Sequence, residues 1–267
     1  MLDAGKRNIL GILMNIADYQ GTVEIVACAA RERRGATVSA LAVHGLMTGV
    51  FDDEQKFRLN HFDLLVPDGQ PVRWVLNWLY RAGLSDRVYG PNLTLKVCAR
   101  AATEGLPVYF YGSTREVLAS LRQNLVAKFP SLIIAGMEPS RFRCLRPGEK
   151  TELAARIRAS GAAIVFVGLG CPRQEAFTYE FRDHLQMPIL AVGAAFPFLA
   201  GITSQAPRWM QDAGLEWLYR LRTEPRRLWR RYLLLNPAYI FLVALQVLGV
   251  SRFSTDGRSP AHELLYG

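Results

Sequence analysis

Short apolar runs, each followed at once by a glycine, are the feature that most limits how this chain can fold. They lie at residues 107–111, 163–167 and 189–192, and helical patterns come after the glycine loops. A fully apolar run of this length suits a strand buried on both faces, and strands that alternate with helices form mainly parallel sheets. The pattern predicts an α/β fold of the Rossmann-like type, with a mainly parallel sheet and flanking helices.

Two earlier runs, at residues 38–43 and 63–66, are further candidate strands, and each ends near polar residues or glycine. After the strand at 107–111, Ser113 and Glu116 have the spacing of a capping box. We therefore expect a helix to begin at this point and to end before Pro130.

The character of the chain changes once, after about Pro207. The whole sequence is 50% hydrophobic and 21% charged, the balance of a globular protein, and α/β folds of roughly 250 residues often form one unit. Beyond Pro207 the chain becomes rich in tryptophan and arginine, and then apolar. We predict an α/β domain at 1–206, a helical C-terminal appendage at 207–250 and a polar tail at 251–267.

Positive charge is concentrated in the appendage. The chain has a formal net charge of +9, and residues 219–232 contain six arginines against one glutamate. Such a cluster fits an anionic partner, which could be a phosphate group, an acidic lipid headgroup or nucleic acid.

The cysteines and the first residues indicate the compartment. Four widely spaced cysteines, with no C-x-x-C pair, do not form a disulfide framework in a chain of 267 residues. Residues 1–18 contain no apolar run long enough for a secretory signal. These features favour a reducing, cytoplasmic setting.

The apolar stretch at residues 232–250 has about the length that crosses a bilayer, which needs about 20 residues. However, Asn236, Pro237 and Gln246 interrupt it. With arginines on one side, an interfacial helix fits better, and nearby rings suit the headgroup zone: Trp217, Tyr219, Trp229, Tyr232 and Tyr239. The alternative is a buried helix or a dimer contact.

Asp68 is the candidate catalytic residue. It follows the candidate strand at 63–66 in the sequence Pro-Asp-Gly, and ligands of α/β proteins usually bind at strand ends. A carboxylate there could act as a general base on an attacking hydroxyl. The alternative is that Pro-Asp-Gly forms only a common turn.

A glycine loop at residues 168–175 is the candidate phosphate site. Its glycines permit close backbone approach, and the start of the following helix offers free N–H groups. A tight turn without a ligand is the alternative, with Glu175 as merely a favourable charge at a helix N-terminus. The predicted donor-binding residues are Gly112, Gly168, Gly170, Pro172, Gln174 and Glu175.

Three arginines of the appendage have informative spacing. Arg220, Arg227 and Arg230 stand at i, i+7 and i+10, which places them on one side of a helix. Guanidinium groups fork across phosphate oxygens, so three of them match a diphosphate. A solvated or lipid-facing basic helix is the alternative.

No metal site and no cofactor is predicted. The four histidines are scattered without ligand spacing, and no Asp-x-Asp sequence is present to hold a divalent cation. The charge of a leaving diphosphate would then be neutralised by arginines and helix N-termini.

Taken together, these segments resemble the WecG/TagA/CpsF glycosyltransferases of bacterial cell-surface polysaccharide and teichoic acid synthesis. The matching segments occur in family order at 65–69, 87–90, 167–175, 191–196, 206–209 and 214–221, with Glu224-Pro225 after them. They extend over roughly residues 63–231.

The resemblance implies a nucleotide-sugar donor, an inverting transfer, a polyprenyl-diphosphate-linked acceptor and no metal requirement. Carried over, the family's base falls on Asp68, its donor loop on 168–175, and the arginines that hold the acceptor diphosphate on Arg220, Arg227 and Arg230. It also implies a membrane-associating appendage that completes the site.

Three departures from the family pattern leave the sugar identity open. The family's Thr-x-Asn near an early strand has no clear counterpart in segment 38–45, where Ser39 or His44 could take its place. Where the family has Asp-Gly-x-Gly, this chain has Asp-Gly-Gln-Pro, which ends at Pro71. Where the family has an aspartate after Ala-Phe, this chain has Pro197.

The sequence thus predicts a hexosyltransferase at the inner face of the cell membrane, moving a sugar from a nucleotide-sugar, UDP-linked by preference, to a lipid-linked saccharide. A non-catalytic nucleotide-binding scaffold that recruits polysaccharide machinery is the alternative. Nucleic acid is not an expected partner, because the aromatic and apolar flank suits lipid better. Homo-oligomer formation is left open.

Overall fold

A computed structural model describes residues 3–267, except for the side chains of Arg227 and Arg231. Eight strands lie among the described residues: β1 (Lys6–Ile9), β2 (Ile12–Asn15), β3 (Ala36–Leu41), β4 (Leu64–Pro67), β5 (Val108–Gly112), β6 (Ile134–Glu138), β7 (Ile164–Gly168) and β8 (Pro188–Ala191). Strands β3 to β8 form one sheet in the order β4-β3-β8-β7-β5-β6, with every pairing parallel. The predicted α/β fold with a mainly parallel sheet is confirmed.

Helices cover the sheet. Those of the first 206 residues are α1 (Tyr19–Arg31), α2 (Val43–Phe51), α3 (Asp53–Asn60), α4 (Gln70–Tyr80), α5 (Gly90–Glu104), α6 (Arg115–Lys128), α7 (Glu149–Ala159), α8 (Arg173–Phe181) and α9 (Ala195–Leu199). Those of the appendage are α10 (Arg208–Asp212), α11 (Glu216–Thr223) and α12 (Pro225–Val247).

The central strands are apolar along their whole length because helices bury both of their faces. Phe110 and Phe166 of β5 and β7 stack with ring centroids 5.0 Å apart in the core on one side of the sheet. Tyr111 and Val167, the next residue in each strand, belong to the core on the other side. This alternation explains why the sequence shows continuous apolar runs at these strands.

The five predicted strands are present within two residues of their expected bounds. The predicted capping box before α6 is wrong. Thr114, not Ser113, is the N-cap, and its hydroxyl accepts a hydrogen bond from the Val117 N–H at 3.3 Å. Ser113 has a φ of +61°, so it lies in a left-handed turn before the cap. Helix α6 ends before Pro130, as expected.

The basic segment of the appendage is not one helix. Arg220 lies on α11 and Arg230 on α12, and the two helices are separated at Glu224, whose backbone is non-helical (φ −134°, ψ 55°). The cause is Pro225, since a proline disfavours helical geometry in the residue before it. The prediction that Arg220, Arg227 and Arg230 share one side of a single helix is therefore wrong.

Helix α12 has one buried face. Tyr239 and Val243 are only 4% and 6% exposed, and the Tyr239 hydroxyl donates to the Pro71 carbonyl at 3.2 Å. The predicted place of Tyr239 among lipid headgroups is thus wrong, because its ring is in the core. Gln246, a polar interruption of the apolar stretch at 232–250, makes two hydrogen bonds to the α/β domain. Its side chain accepts from the Leu10 N–H at 3.0 Å and donates to the Asn8 carbonyl at 2.9 Å.

The opposite face of α12 is exposed and apolar. The apolar residues of this face recur every three or four positions along the helix. They are called here the apolar stripe and are Leu233, Leu234, Pro237, Ile240, Phe241, Ala244, Val247 and Leu248. In the part of the chain that the structure describes, no helix has both the length and the hydropathy to cross a bilayer.

Residues 251–267 run back along the α/β body. The Phe253 carbonyl accepts from Asn8 at 2.7 Å, and the backbone N–H of Arg258 donates to the Asp53 carbonyl at 3.1 Å. Further on, the Leu264 N–H donates to Glu180 at 2.7 Å. This segment, called here the tail, reaches the loop after β6 at Gly267.

Candidate functional site

A cleft of about 900 Å³ lies at the carboxyl ends of the parallel strands, where ligands of open α/β sheets usually bind. It lies between the sheet, the loops that follow the strands and the helices α11 and α12. The structure brings into its lining eight of the ten predicted site residues: Asp68, Gly168, Gly170, Pro172, Gln174, Glu175, Arg220 and Arg230.

Asp68 follows β4 directly, and Pro67 ends that strand at the cleft. One carboxylate oxygen, Oδ1, accepts a hydrogen bond from the Gly90 N–H at 3.2 Å. The Asp68 N–H itself donates to the carbonyl of Leu41, the last residue of the neighbouring strand β3, at 3.2 Å. Both contacts fix the residue while its side chain still lines the cleft.

The surroundings of Asp68 favour its protonated form. Burial raises the pKa of Asp68 to about 7, the charge of Arg87 opposes this increase, and the charge of Glu216 adds to it. A carboxyl group with a pKa near 7 is half deprotonated at neutral pH. It can therefore take a proton from a hydroxyl and is matched to general-base catalysis at that pH.

Arg87 connects this region to the appendage. Its guanidinium pairs with Glu216 of α11 at 2.7 Å and donates to Gln211 of α10 at 2.9 Å. It also lies over the ring of Tyr89, 4.2 Å from the centroid. Arg87 is 7% exposed and therefore buried, and Glu216 is half-buried. Arg87 and Glu216 carry no signal in the sequence beyond their places in the family segments 87–90 and 214–221.

The glycine loop joins β7 to α8. Gly170 has a φ of +79°, a conformation that residues with a Cβ rarely adopt. Pro172 immediately precedes α8. Gly112 does not line the cleft, and a Cβ on it would lie 2.8 Å from the carbonyl carbon of Gly168. It allows close approach of β5 and β7, and its neighbours Ser113 and Thr114 are the residues that line the cleft.

Gln174 and Glu175 form a buried network under the loop. Glu175 Oε1 accepts from the Gln174 side-chain amide at 2.9 Å and from the Ser39 hydroxyl at 3.0 Å. Burial raises the pKa of Glu175, and hydrogen bonds from Gln174, Ser39 and Cys171 oppose this increase. The network orients the Gln174 amide, whose Oε1 has no hydrogen-bond partner among the residues described.

Ser39 and His44, the two candidates for the family's missing Thr-x-Asn, lie in different places, and the choice between them stays open. Ser39 lies in the core of β3, fully buried, and bonds to Glu175. His44, at the start of α2, is the one of the two that lines the cleft.

Two of the three predicted arginines reach the cleft although they lie on different helices. Arg220 Nε is buried and has no hydrogen-bond partner in the described part of the chain, and its guanidinium lies 5.6 Å from the ring centroid of Phe198. Arg230 is exposed beside Trp229. The side chain of Arg227 is outside the described residues. The unpaired Nε–H of Arg220 at the cleft suits an anionic ligand.

Within residues 3–267, apart from the two undescribed side chains, no three histidine, cysteine, aspartate or glutamate residues lie together in a way that could hold a metal ion. The expectation that the protein needs no metal stays a prediction.

Comparison with protein families identifies the family to which this chain belongs. The family model described as "Glycosyl transferase WecG/TagA/CpsF family" matches residues 7–252, which is most of the 267-residue chain. The match extends beyond the segments on which the resemblance was recognised, and it includes the cleft residues of both the α/β body and the appendage.

Proposed function

The chain belongs to the WecG/TagA/CpsF family of glycosyltransferases, which act in cell-surface polysaccharide synthesis, and on this basis we propose a specific reaction for it. It transfers a hexose from a UDP-sugar to a saccharide linked to polyprenyl diphosphate, with inversion at the anomeric carbon and without a metal ion. The observation that carries the proposal is the presence, in one cleft, of a carboxyl group with a pKa near 7 and of Arg220, whose buried Nε–H has no hydrogen-bond partner in the described part of the chain.

In the proposed step, the Asp68 carboxylate takes the proton of an acceptor hydroxyl. The acceptor oxygen forms a bond to the anomeric carbon as the bond from that carbon to the UDP oxygen breaks. The electron pair of the broken bond leaves with UDP, and attack from the opposite side inverts the configuration. Asp68 has the pKa and the cleft position that this role requires.

Two diphosphates must be held, that of the departing UDP and that of the acceptor lipid. For the first, we propose the backbone of the glycine loop at 168–170 and the polar start of α6 at Ser113 and Thr114. For the second, we propose Arg220, Arg227 and Arg230, because Arg227 and Arg230 belong to the helix that carries the apolar stripe and Arg220 lines the same cleft as Arg230. Arginine is suited to either role since its fork matches phosphate oxygens.

The apolar stripe supports a membrane-bound state. Seven apolar positions of α12 and Leu248, which follows the helix, are exposed, and exposed basic residues precede them in the same helix. A helix with one face packed on the protein and the other apolar and exposed suits a position in the plane of the bilayer surface. This arrangement would bring the cleft to the level at which a lipid-linked diphosphate emerges.

The proposed activity is tested in two steps. Purified protein is first screened for an increase in melting temperature with UDP-sugars and GDP-sugars, and the stabilising donors are then used for transfer to a polyprenyl-diphosphate saccharide. We expect a UDP-sugar to stabilise the protein and to be consumed only with the acceptor present. Stabilisation by a donor without transfer to any lipid-linked acceptor would instead favour the non-catalytic scaffold.

A further inference from the structure

One aromatic ring of the cleft belongs to none of the roles above. Phe142 lies in the loop 139–148, which follows β6, and it lines the cleft with 63% of its surface exposed. Large apolar side chains exposed in a cleft are candidates for contact with a flat or apolar part of a ligand.

The backbone that carries this ring is strained. Phe142 has a φ of +55°, an unusual value for a bulky residue, and Ser113 in the neighbouring loop has a φ of +61°. The two loops are joined by a hydrogen bond from the Ser140 N–H to the Ser113 carbonyl at 3.0 Å. Strained residues of this kind persist where the surroundings hold them, and they concentrate at ligand sites.

The tail holds the loop from the other side. The Ser140 hydroxyl donates to the Gly267 carbonyl at 2.6 Å and accepts from the Phe142 N–H at 3.0 Å. The Gly267 N–H donates to the Arg143 carbonyl at 3.2 Å, and the Leu145 N–H donates to the Leu265 carbonyl at 2.6 Å. Phe142 is thus exposed but fixed, so a ligand that stacks on it need not order the loop first.

The position of Phe142 along the cleft indicates which part of the donor it meets. Asp68 follows β4 at one edge of the sheet and Phe142 follows β6 at the other, and these edge strands are roughly 24 Å apart at ordinary strand spacing. The glycine loop after β7 lies between them. A donor whose anomeric carbon is beside Asp68 and whose diphosphate is at the glycine loop directs its nucleoside toward β6.

We propose that Phe142 stacks on the nucleobase of the donor and thereby anchors the end of the nucleotide-sugar that is farthest from the reacting carbon. The inference rests on the proposed function, because it takes the donor to lie with its sugar beside Asp68. Aromatic rings stack on any base, so Phe142 contributes affinity for the nucleotide, and the selection of one base is left to other contacts.

The test is the affinity for UDP and for GDP without a sugar, measured by calorimetry for the wild type, Phe142→Ala and Phe142→Leu. We expect both variants to bind the preferred nucleotide on the order of tenfold more weakly, since stacking on one base is worth about 1–3 kcal/mol. Leucine keeps much of the apolar volume but removes the ring. A loss of nucleotide affinity in Phe142→Leu therefore reports the stacking contribution of the ring. Phe51→Ala is the matched control, with a ring that is also 63% exposed but outside the cleft.

The outcomes separate the inference from the proposed function. If the wild type binds a nucleotide and Phe142→Ala binds it equally well, stacking is overturned and the glycosyltransferase proposal is unaffected. If the variants lose affinity for the nucleotide-sugar but not for UDP or GDP, the ring contacts the sugar and stacking is again overturned. If the wild type binds no nucleotide or nucleotide-sugar, both proposals fail together.

Discussion

Asp68 owes its properties to a small group of buried charges. Burial moves the pKa of Asp68 up to about 7, Arg87 and Glu216 act on it in opposite directions, and these two residues are themselves paired at 2.7 Å. Glu216 belongs to the appendage. The protonation of the proposed base therefore depends on whether α11 is docked on the α/β body.

The pH profile of transfer tests this dependence. Only the deprotonated carboxylate can take a proton, so kcat/KM should rise with pH through about 7. Replacing Glu216 by glutamine removes a negative charge that raises the pKa of Asp68 and frees Arg87, which lowers it. Both effects should shift the midpoint of the rise to lower pH. Exposed Glu152→Gln is the control, and an unshifted midpoint in Glu216→Gln would contradict the coupling.

The network around Glu175 makes a prediction about stability. Ser39→Ala removes the hydroxyl that donates to the buried Glu175 carboxylate at 3.0 Å. Loss of one hydrogen bond to a buried carboxyl group costs about 1–3 kcal/mol, so the free energy of unfolding should decrease by that amount. Chemical denaturation measures it, with Ser131→Ala as the exposed control. A decrease no larger than that of the control would contradict the role of Ser39.

Part of the candidate site follows from local sequence alone. Asp68 and the glycine loop come directly after apolar strands, and the carboxyl ends of parallel strands meet at one edge of a sheet, so their common position in the cleft was predictable. Arg87, Glu216 and Phe142 carry no such local signal. Each acts through a partner distant in the sequence, such as α11 for Arg87 and the tail for Phe142.

At the scale of elements, the break between α11 and α12 decides how the arginines are used. A single straight helix would hold Arg220 and Arg230 at a fixed separation along one face. The break at Glu224 and Pro225 allows both side chains to line the cleft from two helices. The family segment Glu-Pro thus has a structural role, which is to turn the chain over the site.

Arginine substitutions on these helices should affect the two substrates unequally. Arg220→Ala and Arg230→Ala should each reduce kcat/KM for a lipid-diphosphate acceptor by roughly tenfold or more, because a hydrogen bond to a charged group is worth about 1.5–3 kcal/mol. Affinity for the donor should change much less. Arg222→Ala is the matched control, since Arg222 lies on α11 but not at the cleft. An equal loss with a soluble acceptor that lacks the diphosphate would contradict the assignment.

The apolar stripe predicts a vesicle-binding phenotype. Ile240 and Phe241 are 67% and 62% exposed, so replacing both by aspartate leaves the core intact and places charge on the proposed lipid-facing side. The wild type should float with anionic vesicles and this variant should not. Val126→Asp, at an exposed apolar position of α6, is the control. A variant that floats normally but sediments at a lower mass would show that a second copy of the chain covers the stripe.

The elements differ in how well the sequence predicts them. Strands β5, β7 and β8 are buried on both faces and appear as unbroken apolar runs. The hairpin of β1 and β2 and the edge strand β6 were missed, because β6 is only half-buried and contains Gly136, and β1 begins with two basic residues. Half-buried strands of four or five residues have no periodicity long enough to recognise.

At the scale of the whole molecule, the strand order could not be deduced from the sequence. The chain passes from β4 at one edge to β5 near the other, and this crossing places Asp68 and the loop after β6 at opposite ends of one cleft. The tail was expected to be merely polar, but it returns over the α/β body and contributes Gly267 to the cleft lining. Contacts between residues more than 100 positions apart determine both features.

The central claim is that Asp68 is the base of a glycosyl transfer, and Asp68→Asn tests it most directly. The measurement is single-turnover transfer to a polyprenyl-diphosphate saccharide at saturating donor, with donor affinity and melting temperature measured on the same protein. The account predicts that transfer falls by at least about 100-fold, the usual contribution of a general base, while donor binding and folding are kept. Transfer at close to the wild-type rate would contradict it.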